Sequence, residues 1–211
     1  MCAEVSRANG GTRDDLIKAA MVLFAERGFD VVSIRDITGQ AEANVASVKY
    51  HFGSREGLID AVAEALVTPV NEERLVLVAG LEEQDTVSVR DLLEALFEPL
   101  LGQIKGSAVS EKLFSKLMGR LVGERPYEFP DVIMNQFREV AGRFVMMFEK
   151  VIPGLTREDA LWRIHFSFGV LSSTLMHGEL LKQISEGLIG DEDIETTFSR
   201  IIDFCEAGFQ Q

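Results

Sequence analysis

Three residues that favour helix starts, Ser33, Asn44 and Ser54, stand only ten or eleven positions apart. Each side chain can accept a hydrogen bond from the open amides of the turn that follows it. Asp36 lies three residues beyond Ser33, the spacing of a capping box. Glu56 falls in the first turn after Ser54, where the helix dipole favours a carboxylate. Gly53 can stop a helix, and Gly39 with Gln40-Ala41-Glu42-Ala43 weakens one. The chain can therefore build only short helices here: one after Ser33 with Ile34 and Ile37 turned inward, then one of about seven residues from Asn44 to Tyr50. A longer helix should precede them, capped by Thr12 with Asp15 in capping-box position and ended by a left-handed Gly28. Its Leu16, Ala20, Leu23 and Phe24 share one face. Two short helices joined by a tight turn, with a supporting helix before them, are a helix-turn-helix. The last of the three is about 10 Å long at the helical rise, short enough to lie across one major groove.

The remainder also reads as helix, so the fold expected is all-α. Strand-like alternation nowhere exceeds a few residues, Phe29-Asp30-Val31-Val32-Ser33 being the best of it. No Asn-Gly or Asp-Gly turn joins two β-rich runs. A fourth helix should run from about Arg55 into the 70s, with Pro69 kinking it. Helical periodicity returns over 88–101, 108–122, 130–151, 157–186 and 191–208, with breaks at Gly102, Gly123 to Pro126, Pro153-Gly154 and Gly187 to Gly190. There are no repeats and no long linker. Two modules follow, 1–53 (ordered from about 12) and 54–211, joined rigidly through the helix starting near 55.

Charge first argues against nucleic acid, because 21 Lys+Arg stand against 34 Asp+Glu, a net of −13. The acidity is unevenly spread. Residues 1–56 carry seven basic and eight acidic side chains, net −1, and residues 57–211 carry fourteen and 26, net −12. Cys2 and Cys205 sit at opposite ends and match no metal or redox spacing, as suits a reducing cytoplasm. The first residues, with Glu4 and Arg7 and no apolar run, do not read as a signal peptide. No stretch approaches the roughly 18–20 apolar residues that span a bilayer. A cytoplasmic protein without a membrane segment is expected.

Enzyme signatures are missing as well. There is no phosphate-binding glycine loop, no GxSxG elbow and no HExxH. His51, His165 and His177 each lack a Glu three residues earlier, so the carboxylate-bundle metal pattern is absent. The run Asp191 to Glu195 has Thr196 where a calcium loop needs glycine, and reads as a helix start. No catalytic residue, metal or cofactor is expected.

Leu23-Phe24-x-x-x-Gly28-Phe29, then Ser33-Ile34-x-x-Ile37, then Tyr50-His51-Phe52-Gly53-Ser54-Arg55-Glu56-Gly57-Leu58 resemble the DNA-binding domain of the TetR/AcrR family of bacterial transcriptional regulators. Order and spacing over some fifty residues carry the match. The resemblance implies a homodimeric regulator, a repressor by the family's habit, bound to a palindromic double-stranded DNA operator. It implies DNA contacts by Ser33 and Arg35 at the start of the second helix, and by Asn44, Val45, Ala46, Ser47 and Lys49 on the recognition helix. Tyr50, His51 and Arg55 would meet the phosphate backbone.

The chemistry agrees. Arg35, Lys49 and Arg55 can neutralise phosphates, while Ser33, Asn44 and Tyr50 can donate hydrogen bonds to them. Ala46 and Ser47 let base edges approach, and Ala or Val can touch a thymine methyl. Many relatives carry a charged or long polar residue where Val45 stands, so hydrogen-bonded base readout is sparse here. Phe52 reads as a core residue; for His51, packing and backbone contact both stand open.

The second module would bind a ligand and dimerise. Leu161-Trp162-Arg163-Ile164-His165-Phe166 with Phe168-Gly169, and Val45 to Phe52, resemble a fatty-acid-responsive subgroup, the PsrA-like regulators. That resemblance implies a small hydrophobic effector such as a fatty acid or acyl-CoA. Phe97, Leu101, Phe114, Leu117, Met118, Leu121, Phe137, Phe144, Met147, Phe148, Trp162 and Phe166 recur at helical spacing and could line an apolar cavity, or simply form the core. Arg120, Arg163 and His165 are the candidate polar anchors. The last two helices should pair with their symmetry mates as a four-helix bundle. Phe168, Leu171, Leu175, Ile194, Phe198, Ile201, Ile202 and Phe204 supply its apolar faces, Gly169, Ser172 and Ser173 allow close approach, and Met176 and His177 lie near the seam. Two rivals stand beside this reading: the same fold controlled by a protein partner without an effector, and an all-α enzyme acting on a lipid-like substrate.

Overall fold

The computed structural model describes residues 9–106, 110–123 and 129–210, with side chains from 13 onward and to 121 before the second interruption. These residues form nine α-helices and no strand: α1 (Asn9–Arg27), α2 (Ile34–Gln40), α3 (Val45–Phe52), α4 (Arg55–Glu82), α5 (Val89–Gly106), α6 (Glu111–Gly123), α7 (Asp131–Val151), α8 (Arg157–Ile184) and α9 (Ile194–Phe209).

The caps set the boundaries of the first module. Ser33 forms the full capping box: its hydroxyl oxygen accepts from the Asp36 amide at 3.2 Å, and its own amide donates to the Asp36 carboxylate at 2.9 Å. Asn44 Oδ1 accepts from the Ala46 amide at 2.9 Å, and Ser54 Oγ accepts from Gly57 at 3.1 Å. Gly28 and Gly53 take φ of 87° and 75°, a region that strains any residue with a Cβ. Two expectations shift. The first helix begins at Asn9, so Thr12 lies inside it rather than capping it. The third helix runs two residues past Tyr50, to Phe52, because Gly53 and not Tyr50 is its stop.

Leu16, Ala20, Leu23, Phe24, Phe29, Ile37 and Val48 are buried together against Leu58 and Val62 of α4. The Phe24 and Phe29 rings meet at 4.9 Å between centroids. Pairs of this kind add about 1 kcal/mol to what burying their area contributes. α4 then passes without interruption through Pro69 into the second module, where it packs on α5 and α7. Around it α6 packs on α8, and α9 lies between α5 and α8. A second seam joins the modules, since α1 also packs along α6. Ion pairs tie the outer helices: Arg143 to Glu82, Arg90 to Asp203 and Glu206, and Lys105 to Glu195. Among the described residues no helix is long and apolar enough to cross a membrane, and no cluster of His, Cys, Asp and Glu could hold a metal ion.

Candidate functional site

The outer face of the helix-turn-helix is built by its caps. With Ser33 and Asn44 fixed at the starts of α2 and α3, the helical period sends Val48 inward and leaves Val45, Ala46, Lys49 and Tyr50 outward. Tyr50 is 75% exposed, with its ring set edge-on to His51 at 4.9 Å. Arg35 and Lys49 are exposed, and neither has an ion-pair partner among the described residues. Ser47 and His51 are half-buried at the edge of this face. Ser33 and Asn44 hold their caps, which leaves the Asn44 amide group able to donate outward. The Asp36 carboxyl is held below its ordinary value of 3.8 by the Ser33 hydroxyl and then by the Ser33 amide.

Arg55 is turned elsewhere. Its guanidinium donates to the carbonyl oxygens of Phe29 and Val32, the Val32 contacts being 3.2 and 3.3 Å, and so closes the loop between α1 and α2 onto the start of α4. A residue type suited to phosphate is here spent inside the protein. Arg13 was not singled out in the sequence; its guanidinium lies 5.5 Å from the Phe52 ring centroid and pins α1 over the end of α3.

In the second module a cavity of about 60 Å³ lies among α4, α5, α6, α7 and α8. Met118 and Leu121 on α6 and Phe137 on α7 line it, as expected. Phe97, Phe114, Phe144 and Met147 are buried in the core beside it, and Leu101 packs on that core. Two assignments exchange places. Trp162, His165 and Phe166, expected in the cavity, lie exposed on α8, where the Trp162 and Phe166 rings stack at 5.5 Å. Phe168, Leu171 and Leu175, expected at the dimer seam, line the cavity instead. Phe198 and Ile201 are likewise buried within the protomer, and Ile194 is half-buried. The reason is rotational: each residue turns the helix by about 100°, so a face misjudged by two positions points at the wrong neighbour. The large apolar side chains that α8 and α9 do leave exposed are Leu161, Trp162, Phe166, Leu180, Leu181 and Ile184, with Phe204 at 66%.

The polar anchors also move. Arg163 donates to the Phe209 carbonyl at 2.6 Å and closes the end of α9. His165 stands against Trp162 on the surface, and Arg120 is half-buried on α6 away from the cavity lining. The cavity's charged group is Arg74, which is not among the anchors expected from the sequence. It is 5% exposed and donates Nε–H to the Leu96 carbonyl at 2.7 Å and Nη1–H to Asn71 Oδ1 at 3.0 Å. Its guanidinium lies 5.3 Å from the Phe168 ring centroid. Asn71 continues the chain to Gln136 at 3.4 Å, and Gln136 to Thr68 at 3.1 Å. Burial alone lowers the Arg74 pKa, to about 10, which leaves it charged at neutral pH. A signal was there: Val67, Val70, Arg74 and Val78 repeat at spacings of three and four, which puts Arg74 in the apolar stripe of α4.

Residues 94–208, more than half of the chain, match the family profile "Tetracyclin repressor-like, C-terminal domain", and residues 16–62 match "Bacterial regulatory proteins, tetR family". The chain is 26% identical over 139 residues to the HTH-type transcriptional repressor KstR2 of Rhodococcus jostii, covering 65% of each protein. It is 30% identical over 87 residues to the HTH-type transcriptional repressor NicS of Pseudomonas putida, covering 41% of each. Less than two-thirds of either repressor's length is therefore matched. Among solved structures it is similar to SmeT, the repressor of a Stenotrophomonas maltophilia multidrug efflux pump, with TM-score 0.63 and 17% identity over 94% of this chain and 91% of that one. A regulator from Marinobacter aquaeolei gives TM-score 0.61 and 11% identity over 94% and 95%. Identities this low speak for the fold alone.

Proposed function

The chain belongs to the tetR family of bacterial regulatory proteins, and on that footing we propose that it is a homodimeric DNA-binding repressor of the bacterial cytoplasm, released from its operator by a small hydrophobic effector. The observation that carries the reading is the outward face of α3: Lys49 and the 75%-exposed Tyr50 beside Val45 and Ala46, with Val48 and Ile37 anchoring it from behind. An exposed phenol beside an unpaired ammonium suits a phosphate backbone, and the small residues suit a groove floor. Two such helices, carried by a two-fold dimer, would read half-sites about one helical turn or more apart. The exposed apolar residues of α8 and α9 support the dimer, because a patch of that kind on a lone chain would invite association.

The effector reading rests on the cavity. Its lining by Met118, Phe129, Phe137 and Phe168 suits an apolar molecule such as a fatty acid or an acyl-CoA. A cavity of about 60 Å³ is narrow, and by itself it favours the rival in which a protein partner exerts control. Arg74 weighs the other way, since a buried cation without a counter-ion costs stability that a bound anion would offset. The relatives matched are transcriptional regulators rather than enzymes.

A mobility-shift assay with the DNA upstream of the chain's own gene tests the proposal. Specific retardation that weakens steeply with salt is expected, with Tyr50→Ala costing about tenfold in affinity, the loss expected for one phosphate hydrogen bond. Equal binding to unrelated DNA of the same length would refute it.

A further inference from the structure

Arg74 is a cation enclosed in the wall of an apolar cavity, and no anion among the described residues meets it. Its neighbours are neutral: the Leu96 carbonyl, the Asn71 amide and the face of Phe168. Among the described residues Arg74 makes no ion pair. Even the amides around it are spoken for in sequence, Asn71 by Gln136 and Gln136 by Thr68. A guanidinium has five N–H donors in a planar fork. Two are used by protein acceptors, which leaves three without one among the described residues, on a side chain that lines the cavity. Buried charges elsewhere in proteins are paired, and one left without a counter-ion costs stability unless something supplies it.

We propose that the cavity takes a small apolar molecule bearing a single carboxylate, and that the free edge of the Arg74 guanidinium is its anchor. This rests on the effector reading above and specifies its chemistry. A carboxylate matches the fork with two parallel N–H···O bonds. One buried cation neutralises one negative charge, so a monoanion fits where a phosphate dianion would leave charge over. A thioester or an ester keeps the carbonyl but loses the charge, which turns the preference toward the free acid. The remainder of the molecule meets Val67, Val70, Leu100, Met118 and the Phe137 ring, which offer no further hydrogen bonds. The cavity's small volume asks for a slender body, or for Met118 and Phe137 to swing aside as it enters.

Isothermal titration calorimetry on the full-length dimer with octanoate and 4-phenylbutyrate, each against its own alcohol, tests this. The wild type is expected to bind at least one acid roughly 30-fold more tightly than the matching alcohol, the range for a hydrogen-bonded charge pair. Arg74→Met should erase that preference while keeping the helical circular dichroism and dimer mass of the wild type. Arg74→Lys, which keeps the charge but not the fork, should restore part of it. Acid and alcohol binding alike, Arg74→Met binding octanoate as the wild type does, or no binding of any of the four compounds would each overturn the proposal. Operator retardation by ligand-free wild type is read separately: if it stands while the acids fail, the regulator survives and its carboxylate effector does not. If retardation itself fails, the regulatory reading falls whatever the calorimetry gives.

Discussion

Replacing Arg55 with alanine separates two roles that an arginine near DNA can play. Its guanidinium reaches two carbonyl oxygens, those of Phe29 and Val32, and thereby holds the loop between α1 and α2 against the start of α4. Hydrogen bonds from a charged donor contribute about 1.5–3 kcal/mol each when sheltered. The side chain is only half-buried, and water can replace part of what is lost, so the low end applies and about 2 kcal/mol in all is expected. In a chain of this size that lowers the thermal midpoint by roughly 4–8 °C. Lysine should recover less than half, because one ammonium on a flexible stem cannot span both carbonyls as the fork does. Arg35→Ala and Lys49→Ala form the contrast. Both side chains are exposed and unpaired, so each should leave the midpoint within about 2 °C and lower the salt slope of operator binding by about one. Differential scanning calorimetry and salt-series titrations measure the two quantities. If Arg55→Ala left the midpoint unmoved and instead lowered the salt slope, the guanidinium would belong to phosphate and the argument from its carbonyl partners would be wrong.

Two further outcomes are expected. Phe204→Glu places a charge in the exposed apolar face of α9, and light scattering should then give the mass of one chain where the wild type gives two; a dimer of undiminished stability would remove α9 from the interface. Asp36 has its pKa lowered in the fold, so its contribution is present above its ordinary value of 3.8 and is lost as the pH falls through the lower folded value. Asp36→Asn should therefore lower the thermal midpoint at pH 7 and flatten its decline below about pH 4, and parallel wild-type and variant curves down to pH 3 would contradict the capping box as the cause.

Features that depend on neighbours in the sequence were readable there. A cap needs only the next three or four residues, so Ser33, Asn44 and Ser54 declared their helices, and the face of α3 followed from where its helix starts. Arg55 shows the limit, because a residue type names its chemistry and not its partner, and the carbonyls it serves lie 23 and 26 residues back. On α8 the periodicity marks apolar residues on more than one side of a 28-residue helix without saying which side meets a cavity and which meets solvent. Phe168 and Phe166 are two positions apart and face different worlds. Arg74 was legible as a misfit in an apolar stripe, but only the packing of five helices shows what that misfit overlooks.

The seam between α1 and α6 has a consequence for inheritance rather than for binding. α6 supplies Met118, Gly119 and Leu121 to the cavity wall and also packs on α1, the helix that supports the proposed DNA-reading pair α2 and α3. Gly119 lies against the Met176 side chain of α8, where a methyl group would stand 2.3 Å from Met176 Cγ, so α6 and α8 are closely packed there. Movement forced by an occupant would pass to α1. Substitutions along this seam, at residues that touch neither operator nor effector, should then yield cells locked in one transcriptional state: deaf to the effector if the seam loosens, permanently derepressed if it is wedged apart.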